Sequence, residues 1–349
     1  MKRDLALSIA GISKHQYYYR PTNRKKGRKS TETTLKKDGD NIERCPNNIV
    51  IGDIKAIQDD PDTDYGYKKI WHALLILGYL INHKKVYRLM RENQLLNDKP
   101  SKAPRAFAKY RKVMPQEPLS LIEMDIKFVW VEEYQRHAYV LTAIDTFTRV
   151  VLGWRVSYQI KQDIVKRLWQ GIIENHLQPY DCLNKQMQIE IRNDNDSRFV
   201  AKSVQEFFES KKIKQVFTHP YTPQENGHIE SFHAILSRKL NRYTFWSIND
   251  LEQCLVLFYE KYNNHRLHSS IAYLPPMVFW DCWEKQQIET KIDMKQRKIK
   301  HKLKIPYHEL SGKMSLRAVP YSQPKTLDGF EGEKINEMSG AESLLQPSV

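Results

Sequence analysis

The stretch Leu119-Ser120-Leu121-Ile122-Glu123-Met124-Asp125-Ile126-Lys127-Phe128-Val129-Trp130 decides the fold. Ile122, Met124, Ile126, Phe128 and Trp130 alternate with Glu123, Asp125 and Lys127, which predicts a strand with Asp125 on its polar side. Downstream, residues 138–145 and 150–157 read as two more strands joined through Thr146-Phe147-Thr148. Residues 162–175 then read as a helix, 187–192 as a strand, 200–210 as a helix and 213–217 as a strand, with helix from Thr222 onward. A three-strand meander followed by alternating helices and strands is a mixed α/β order.

Upstream the pattern is different. Residues 98–117 are rich in Pro, Ala and Lys without periodicity and read as a basic linker, so a domain boundary falls near residue 115. Residues 48–97 read as a small helical domain. Ile49, Ile51, Ile54 and Ile57 have helical spacing, and Ile70, Trp71, Leu74 and Leu75 mark a second helix that Gly78 stops as a left-handed cap. Asn82 starts a third, with Val86, Leu89 and Met90 inside and Lys84, Lys85, Arg88 and Arg91 on its other faces. Two amphipathic helices around a short turn, the second basic, suit a helix-turn-helix that contacts DNA; a plain three-helix bundle with a wetted basic face has the same pattern. In residues 1–37 a helix, a Gly11-Ile12-Ser13 turn and a second helix capped by Ser13 precede a basic run.

Charge supports an anionic partner. Among 349 residues, 56 Lys and Arg against 41 Asp and Glu leave a net charge of +15, which favours nucleic acid. Residues 1–37 hold 11 basic and 2 acidic side chains, and residues 291–304 hold 7 and 1. Residues 284–349 read as a tail, basic and then acidic, and partly disordered. No apolar run of about 18 residues is present to span a bilayer, and residues 5–12 make a poor signal peptide. Cys45, Cys182, Cys254 and Cys282 lie far apart without a CxxC pair, which fits a reducing cytosol.

Three acids have the placement for chemistry. Asp125 lies in the first strand, Asp194 just past a later strand, and Glu230 on a helix expected to begin at Thr222, with Thr222 and Glu225 as a capping box and Pro223 in the first turn. That start puts Glu230 about two turns in, at the border of a buried stripe of Ile229, Phe232, Leu236 and Leu240. Three carboxylates brought together need a cation between them, and oxygen ligands suit Mg2+ or Mn2+. Two such ions can activate an attacking oxygen and stabilise a leaving one at a phosphodiester. With 41 acids in the chain, however, spacing alone does not select a trio.

The surrounding residues do. Glu123-Met124-Asp125-Ile126, Asn193-Asp194-Asn195-Asp196-Ser197-Arg198-Phe199, Pro223-Gln224-Glu225-Asn226-Gly227-His228-Ile229-Glu230-Ser231-Phe232 and Tyr262-Asn263-Asn264-His265-Arg266-Leu267-His268-Ser269 stand in order. With Tyr65-Gly66-Tyr67-Lys68-Lys69-Ile70 and Arg88-Leu89-Met90-Arg91 upstream, the chain resembles the bacterial insertion-sequence transposases of the IS-three (OrfB) type, whose core is similar to retroviral integrase. The resemblance covers about residues 5–283. It implies an RNase H-like α/β fold, a five-stranded mixed sheet with flanking helices over residues 118–283, behind a small all-α helix-turn-helix region. It also implies Asp125, Asp194 and Glu230 as catalytic metal ligands for Mg2+ or Mn2+, two ions in number.

The implied activity is DNA strand cleavage and strand transfer at element ends, in the cytoplasm and on the nucleoid. Its partners would be double-stranded DNA at the ends and target, further copies of the chain on that DNA, an upstream frameshift product, and no membrane. The alternatives are a degenerate copy that only binds DNA and an RNase H-like nuclease. Lys84, Lys85, Arg88 and Arg91 on the third helix, with Arg238 and Lys239 on the helix of Glu230, are the expected DNA contacts.

Two positions depart from the family pattern. Asp196 stands where Gly is usual, and Ser237 stands seven residues after Glu230 where Lys or Arg is usual, with Arg238 and Lys239 next. Asp145 is a further acid that fits a hairpin turn better than a metal site. His228 and His233 read as surface groups, and Trp71, Trp154 and Trp246 as packing residues. Arg266 and His268 either order the end of the core or contact phosphate.

Overall fold

The computed structural model describes residues 3–20, 30–60, 62–97, 114–184, 188–218, 226–293 and 298–310. Helices α1 (Arg3–Ile9) and α2 (Lys14–Tyr18) are joined through Gly11. Ser13 makes the expected cap: its side chain accepts from Gln16 N, and the Gln16 side chain accepts from Ser13 N. Strands β1 (Thr33–Asp38) and β2 (Asn41–Pro46) form an antiparallel hairpin before α3 (Asn47–Asp59), α4 (Tyr67–Ile76), the two-residue β3 (Tyr79–Leu80) and α5 (His83–Glu92). Strand β3 pairs with β1, so the helical domain carries a three-stranded sheet that an all-α reading omits. The sheet leaves little trace in the sequence because β1 buries only Thr34 and β2 buries no residue, so neither strand shows an apolar alternation.

The helical signals themselves hold. Gly78 has φ +90°, and a Cβ there would lie 2.3 Å from the Lys37 carbonyl oxygen, so both conformation and space require glycine. The Asn82 side chain caps α5 by accepting from Lys84 N at 2.9 Å. Val50, Ile54, Ile70, Leu74, Val86, Leu89 and Met90 close the core of this region. Ile49, assigned to the inner face by spacing, is 49% exposed, and Val50 takes its place.

Strands β4 (Leu121–Val131), β5 (Arg136–Asp145) and β6 (Val151–Ser157) form the meander. Helix α6 (Gln162–Ile172) runs on into a π-helical turn at Ile173–Leu177, followed by β7 (Glu190–Asn193), α7 (Ser197–Val200), α8 (Lys202–Ser210) and β8 (Lys214–Phe217). The sheet order is β6-β5-β4-β7-β8, antiparallel within the meander and parallel from β4 to β8. Helices α9 (Gly227–Leu240) and α10 (Ile248–Asn264) cover the face opposite α6 and α8.

Central position in this sheet explains where simple alternation misleads. Ile122, Met124 and Ile126 pack under α6 and α8, but Phe128 and Trp130, in phase with them, lie beyond that cluster and are 51% and 43% exposed. On the other face Val129 and Val131 are buried against α9 and α10, and Glu123 is fully buried. Trp154 packs as expected, stacked on Tyr259, whereas Trp246 is 71% exposed and is no packing residue.

Beyond the core, α11 (Pro276–Glu284) leads into an antiparallel hairpin of β9 (Ile288–Asp293) and β10 (Lys298–Leu303), and then a 3-10 turn at Tyr307–Leu310. Residues expected as a basic tail are therefore ordered structure here. Ile288 and Leu303 bury one side of the hairpin with Phe147 and Phe279, while Lys300, Lys302 and Lys304 face solvent. The acidic end, residues 311–349, lies outside the described residues, as does the greater part of the linker, residues 98–113.

Candidate active site and nucleic-acid interface

Asp125 sits in the middle of β4, and Asp194 follows the last residue of β7. The two strands are parallel neighbours, with Leu121 opposite Glu190, Ile122 opposite Ile191 and Glu123 opposite Arg192. Two further residues along that register, Asp194 comes beside Asp125. The electrostatics agree with the register. Burial raises the Asp194 carboxyl above its ordinary range, and the Asp125 charge raises it further. Glu230 is raised by its partial burial and then by the same Asp125 charge, with His233 opposing.

Helix α9 is described from Gly227, with Glu230 in the first turn of that described part. The capping residues read from the sequence, Thr222, Pro223 and Glu225, lie outside the described residues. Among the described residues no group of three or more His, Cys, Asp or Glu is placed to hold a metal ion. The three acids are thus neighbours in charge without forming a closed coordination shell.

The start of α9 has an unexpected partner. Asn226, its N-cap residue, makes no side-chain capping bond. Glu123 supplies the missing acceptor from across the sheet: its Oε2 accepts from the backbone N–H of His228 at 3.0 Å and of Ile229 at 2.8 Å. Burial lifts its carboxyl to about 7, while the Ile229 N–H, Arg149, the His228 N–H and Arg192 pull the other way. Its second oxygen, Oε1, has no hydrogen-bond partner among the described residues.

Nothing in the strand pattern distinguishes Glu123 from a surface glutamate, because the group it serves lies 105 residues away in the chain. Asp145 has the turn role expected of it. Fully buried, it accepts from Leu119 N at 3.0 Å, Thr148 N at 2.8 Å and Thr148 Oγ1 at 2.5 Å.

Both histidines beside Glu230 depart from the surface reading. His233 Nδ1 lies 3.3 Å from Asp125 Oδ2, with its side chain only 11% exposed. His228 is half-buried, and burial and then the charges of Arg149 and Arg192 depress it to about 3, so it is neutral at ordinary pH. Asp196 is held by Arg198 through a bidentate pair at 2.7 and 2.5 Å, and the Arg198 side-chain bonds keep its carboxyl below the usual range. The extra charge near Asp194 is therefore largely compensated. Ser237 donates to the His233 carbonyl at 2.7 Å and stays within its own helix.

The basic residues after Ser237 meet an acidic loop of the helical domain, a loop that the sequence reading gave no role. Arg238 pairs with Asp64, Lys239 with Asp62 at 3.0 Å, and Arg242 with Asp62 at 3.3 Å. Lys261 reaches Asp60 at 2.6 Å and Asp62 at 3.2 Å, and Arg266 reaches Asp64 at 2.5 Å. Arg266 thus fastens the end of the core to the helical domain. His268, half-buried, is pushed well below its ordinary pKa by burial and then by the neighbouring cations, Lys69 first. On α5, Lys84 and Arg91 are exposed. Lys85 donates to Thr33 O at 2.6 Å and Arg88 to Thr31 O at 3.4 Å, so these two also brace the segment before β1.

Comparison with known proteins follows the same division. Residues 115–223 and 211–276 match models of the integrase core domain, and residues 47–102 match the HTH-like domain. An uncharacterized protein of insertion element IS476 from Xanthomonas euvesicatoria is 28% identical over 225 residues, a match covering 64% of this chain and 62% of that protein. The transposase for insertion sequence element IS904 from Lactococcus lactis is 25% identical over 247 residues, covering 66% of this chain and 93% of the relative. Among solved structures, the magnesium complex of the HTLV-2 integrase catalytic core domain aligns at 17% identity, covering 48% of this chain and 97% of that one, with a TM-score of 0.33. The chain thus joins an HTH-like domain to an integrase core domain, in the order its own fold shows, and is similar in sequence to insertion-sequence transposases such as that of IS904.

Proposed function

We propose that this protein is a DNA transposase that binds the ends of its insertion sequence and cuts and joins DNA strands at Asp125, Asp194 and Glu230. The observation that carries the reading is convergence on Asp125: the parallel β4–β7 register brings Asp194 beside it, and, after burial, its charge is what most raises the pKa of both Asp194 and Glu230 of α9. Such a set favours binding a cation over remaining unpaired. An all-oxygen donor set suits Mg2+ or Mn2+ in particular. When bound, a pair of these ions supplies activation of the attacking oxygen and stabilisation of the leaving oxygen.

The chain's own residues do the rest. His233, against Asp125, orients that carboxylate, and Arg198 takes up the Asp196 charge beside Asp194. The exposed Lys84 and Arg91 of α5 contact phosphates of the element end, while Arg238 and Lys239 reach DNA once freed from Asp64 and Asp62. Lys85 and Arg88 add charge to the same helix face. The reaction is hydrolysis at the element end, followed by attack of the freed 3′-hydroxyl on target DNA. Two or more copies act together on the DNA, in the cytoplasm and on the nucleoid, with an upstream frameshift product as a further partner.

The test is incubation of the purified protein with labelled element-end DNA, target DNA and Mg2+. Nicked ends and joined products that depend on the end sequence and vanish with a chelator are expected. Binding to ends with no cleavage in either Mg2+ or Mn2+ would instead mark the protein as a DNA binder only.

A further inference from the structure

Glu123 has no part in the chemistry proposed above, yet it is buried to zero exposure on the strand that carries Asp125. Its Oε2 takes the two backbone N–H groups, those of His228 and Ile229, that an N-cap side chain ordinarily takes. Asn226 leaves that place open. Glu123 thus supplies, among the described residues, the acceptor that the first N–H groups of a helix lack within the helix itself. Negative charge also favours the start of a helix, where the peptide dipoles leave a partial positive charge. Glu123 stands two residues before Asp125, and Ile229 directly precedes Glu230. Strand β4 and helix α9 are therefore tied together at the point where each presents an acid to the site.

We propose that Glu123 is a positioning residue that caps α9 from the sheet and thereby sets Glu230 against Asp125. The proposal rests on the reading of these two acids as metal ligands. Asp125 and Glu230 come from segments far apart in the chain, and the bonds of Glu123 to α9 are the hydrogen bonds that join β4 to the first turn of that helix among the described residues. Misplacement by about 1 Å at a reacting centre costs about 100-fold in rate.

Two substitutions separate the cap from simple packing. Glu123→Gln keeps an oxygen that accepts both N–H bonds, whereas Glu123→Met keeps the length and fills the volume but accepts neither. In the full-length protein, Glu123→Gln is expected to cleave end DNA within about threefold of the unaltered protein. Glu123→Met is expected to lose about 100-fold in cleavage, to need several-fold more Mn2+ for half-maximal rate, and to exchange the amide hydrogens of residues 228 and 229 faster, with end binding unchanged.

Glu123→Met with normal cleavage and normal Mn2+ dependence overturns the proposal. So does Glu123→Gln with slow amide exchange at residues 228 and 229 but cleavage lost. If Glu123→Met fails to fold, Glu123→Gln decides alone: activity retained with protected amides supports the cap, and lost activity overturns it. Asp125→Asn, run in parallel, isolates the underlying reading. Cleavage by Asp125→Asn at the normal rate means that the metal-ligand assignment has failed, whereas a dead Asp125→Asn beside an unaffected Glu123→Met means that only the cap has failed.

Discussion

Asp145 and Asp125 lie on paired strands and face opposite tasks. Asp145 spends its oxygens on Thr148 N and Thr148 Oγ1 in the turn that follows β5, and on Leu119 N just before β4. Replacing it by Ala leaves those donors unpaired in the interior, each at about 1–3 kcal/mol. Chemical denaturation of Asp145→Ala is expected to show a loss of several kcal/mol, while Asp145→Asn, which keeps an acceptor, cleaves DNA nearly normally once folded. An Asp145→Asn protein with normal stability and no cleavage would move the acid into the active site. Gly78 makes a second residue-scale case. At φ +90° with Lys37 O 2.3 Å from any added Cβ, Gly78→Ala is expected to cost about 1–3 kcal/mol or more in unfolding free energy, through strain in the helical domain. An unchanged denaturation midpoint would show that the Lys37 strand shifts without cost.

Among the elements, α5 carries the expected DNA contacts, and its four cations are not equivalent. Lys84 and Arg91 are exposed, whereas Lys85 and Arg88 also hold Thr31 and Thr33. Each phosphate contact adds about −0.9 to the slope of log affinity against log salt. Lys84→Ala and Arg91→Ala are each expected to reduce the slope by about 0.9 in a fluorescence titration across salt concentrations. Slopes that do not change would place the DNA elsewhere, on the Lys300, Lys302 and Lys304 side of the β9–β10 hairpin for example.

This helix and the whole meander were legible in the sequence, because a helical stripe and a capping Asn are local signals. The β1–β2 hairpin was not, since it buries almost nothing of its own. Glu123 was hidden for another reason: alternation reports which face a residue occupies, and the helix that covers that face follows from tertiary packing. Asp125, Asp194 and Glu230 could be singled out as candidates only through the motifs around them, as the number of acids made spacing alone uninformative.

At the scale of the whole molecule, a chain of net charge +15 keeps part of its basic surface occupied by its own acids. Asp60, Asp62 and Asp64 of the helical domain bind Lys261, Lys239, Arg242, Arg238 and Arg266 of the core and its C-terminal segment. Burial would raise the Asp62 carboxyl, but the bonds from Lys239 and Lys261 outweigh it, and its pKa falls below the ordinary 3.8. A carboxyl lowered by folding stabilises the fold above its ordinary pKa and loses that contribution as pH falls through the folded value. The stability difference between wild type and Asp62→Asn is therefore expected to be full at neutral pH and to close below pH 3.8, as denaturant unfolding across pH can read. A difference that persists undiminished in acid would assign the loss to packing rather than charge. The same substitution frees Lys239, so end-DNA affinity at low salt should rise; a fall would mean that docking of the two domains is needed for binding.

The central claim is that Asp125, Asp194 and Glu230 act as one set in strand cleavage and take no part in holding DNA. Its most direct measurement compares Asp125→Asn, Asp194→Asn and Glu230→Gln with wild type, reading cleavage of labelled end DNA in Mg2+ and end affinity in the same preparations. Each amide keeps the size of the acid and removes one ligand charge. All three variants are expected to bind ends at least as tightly as wild type and to cleave orders of magnitude more slowly, as when a several-kcal/mol stabilisation is lost at about 1.4 kcal/mol per tenfold. Any one of them, folded and cleaving at the wild-type rate, would contradict the claim.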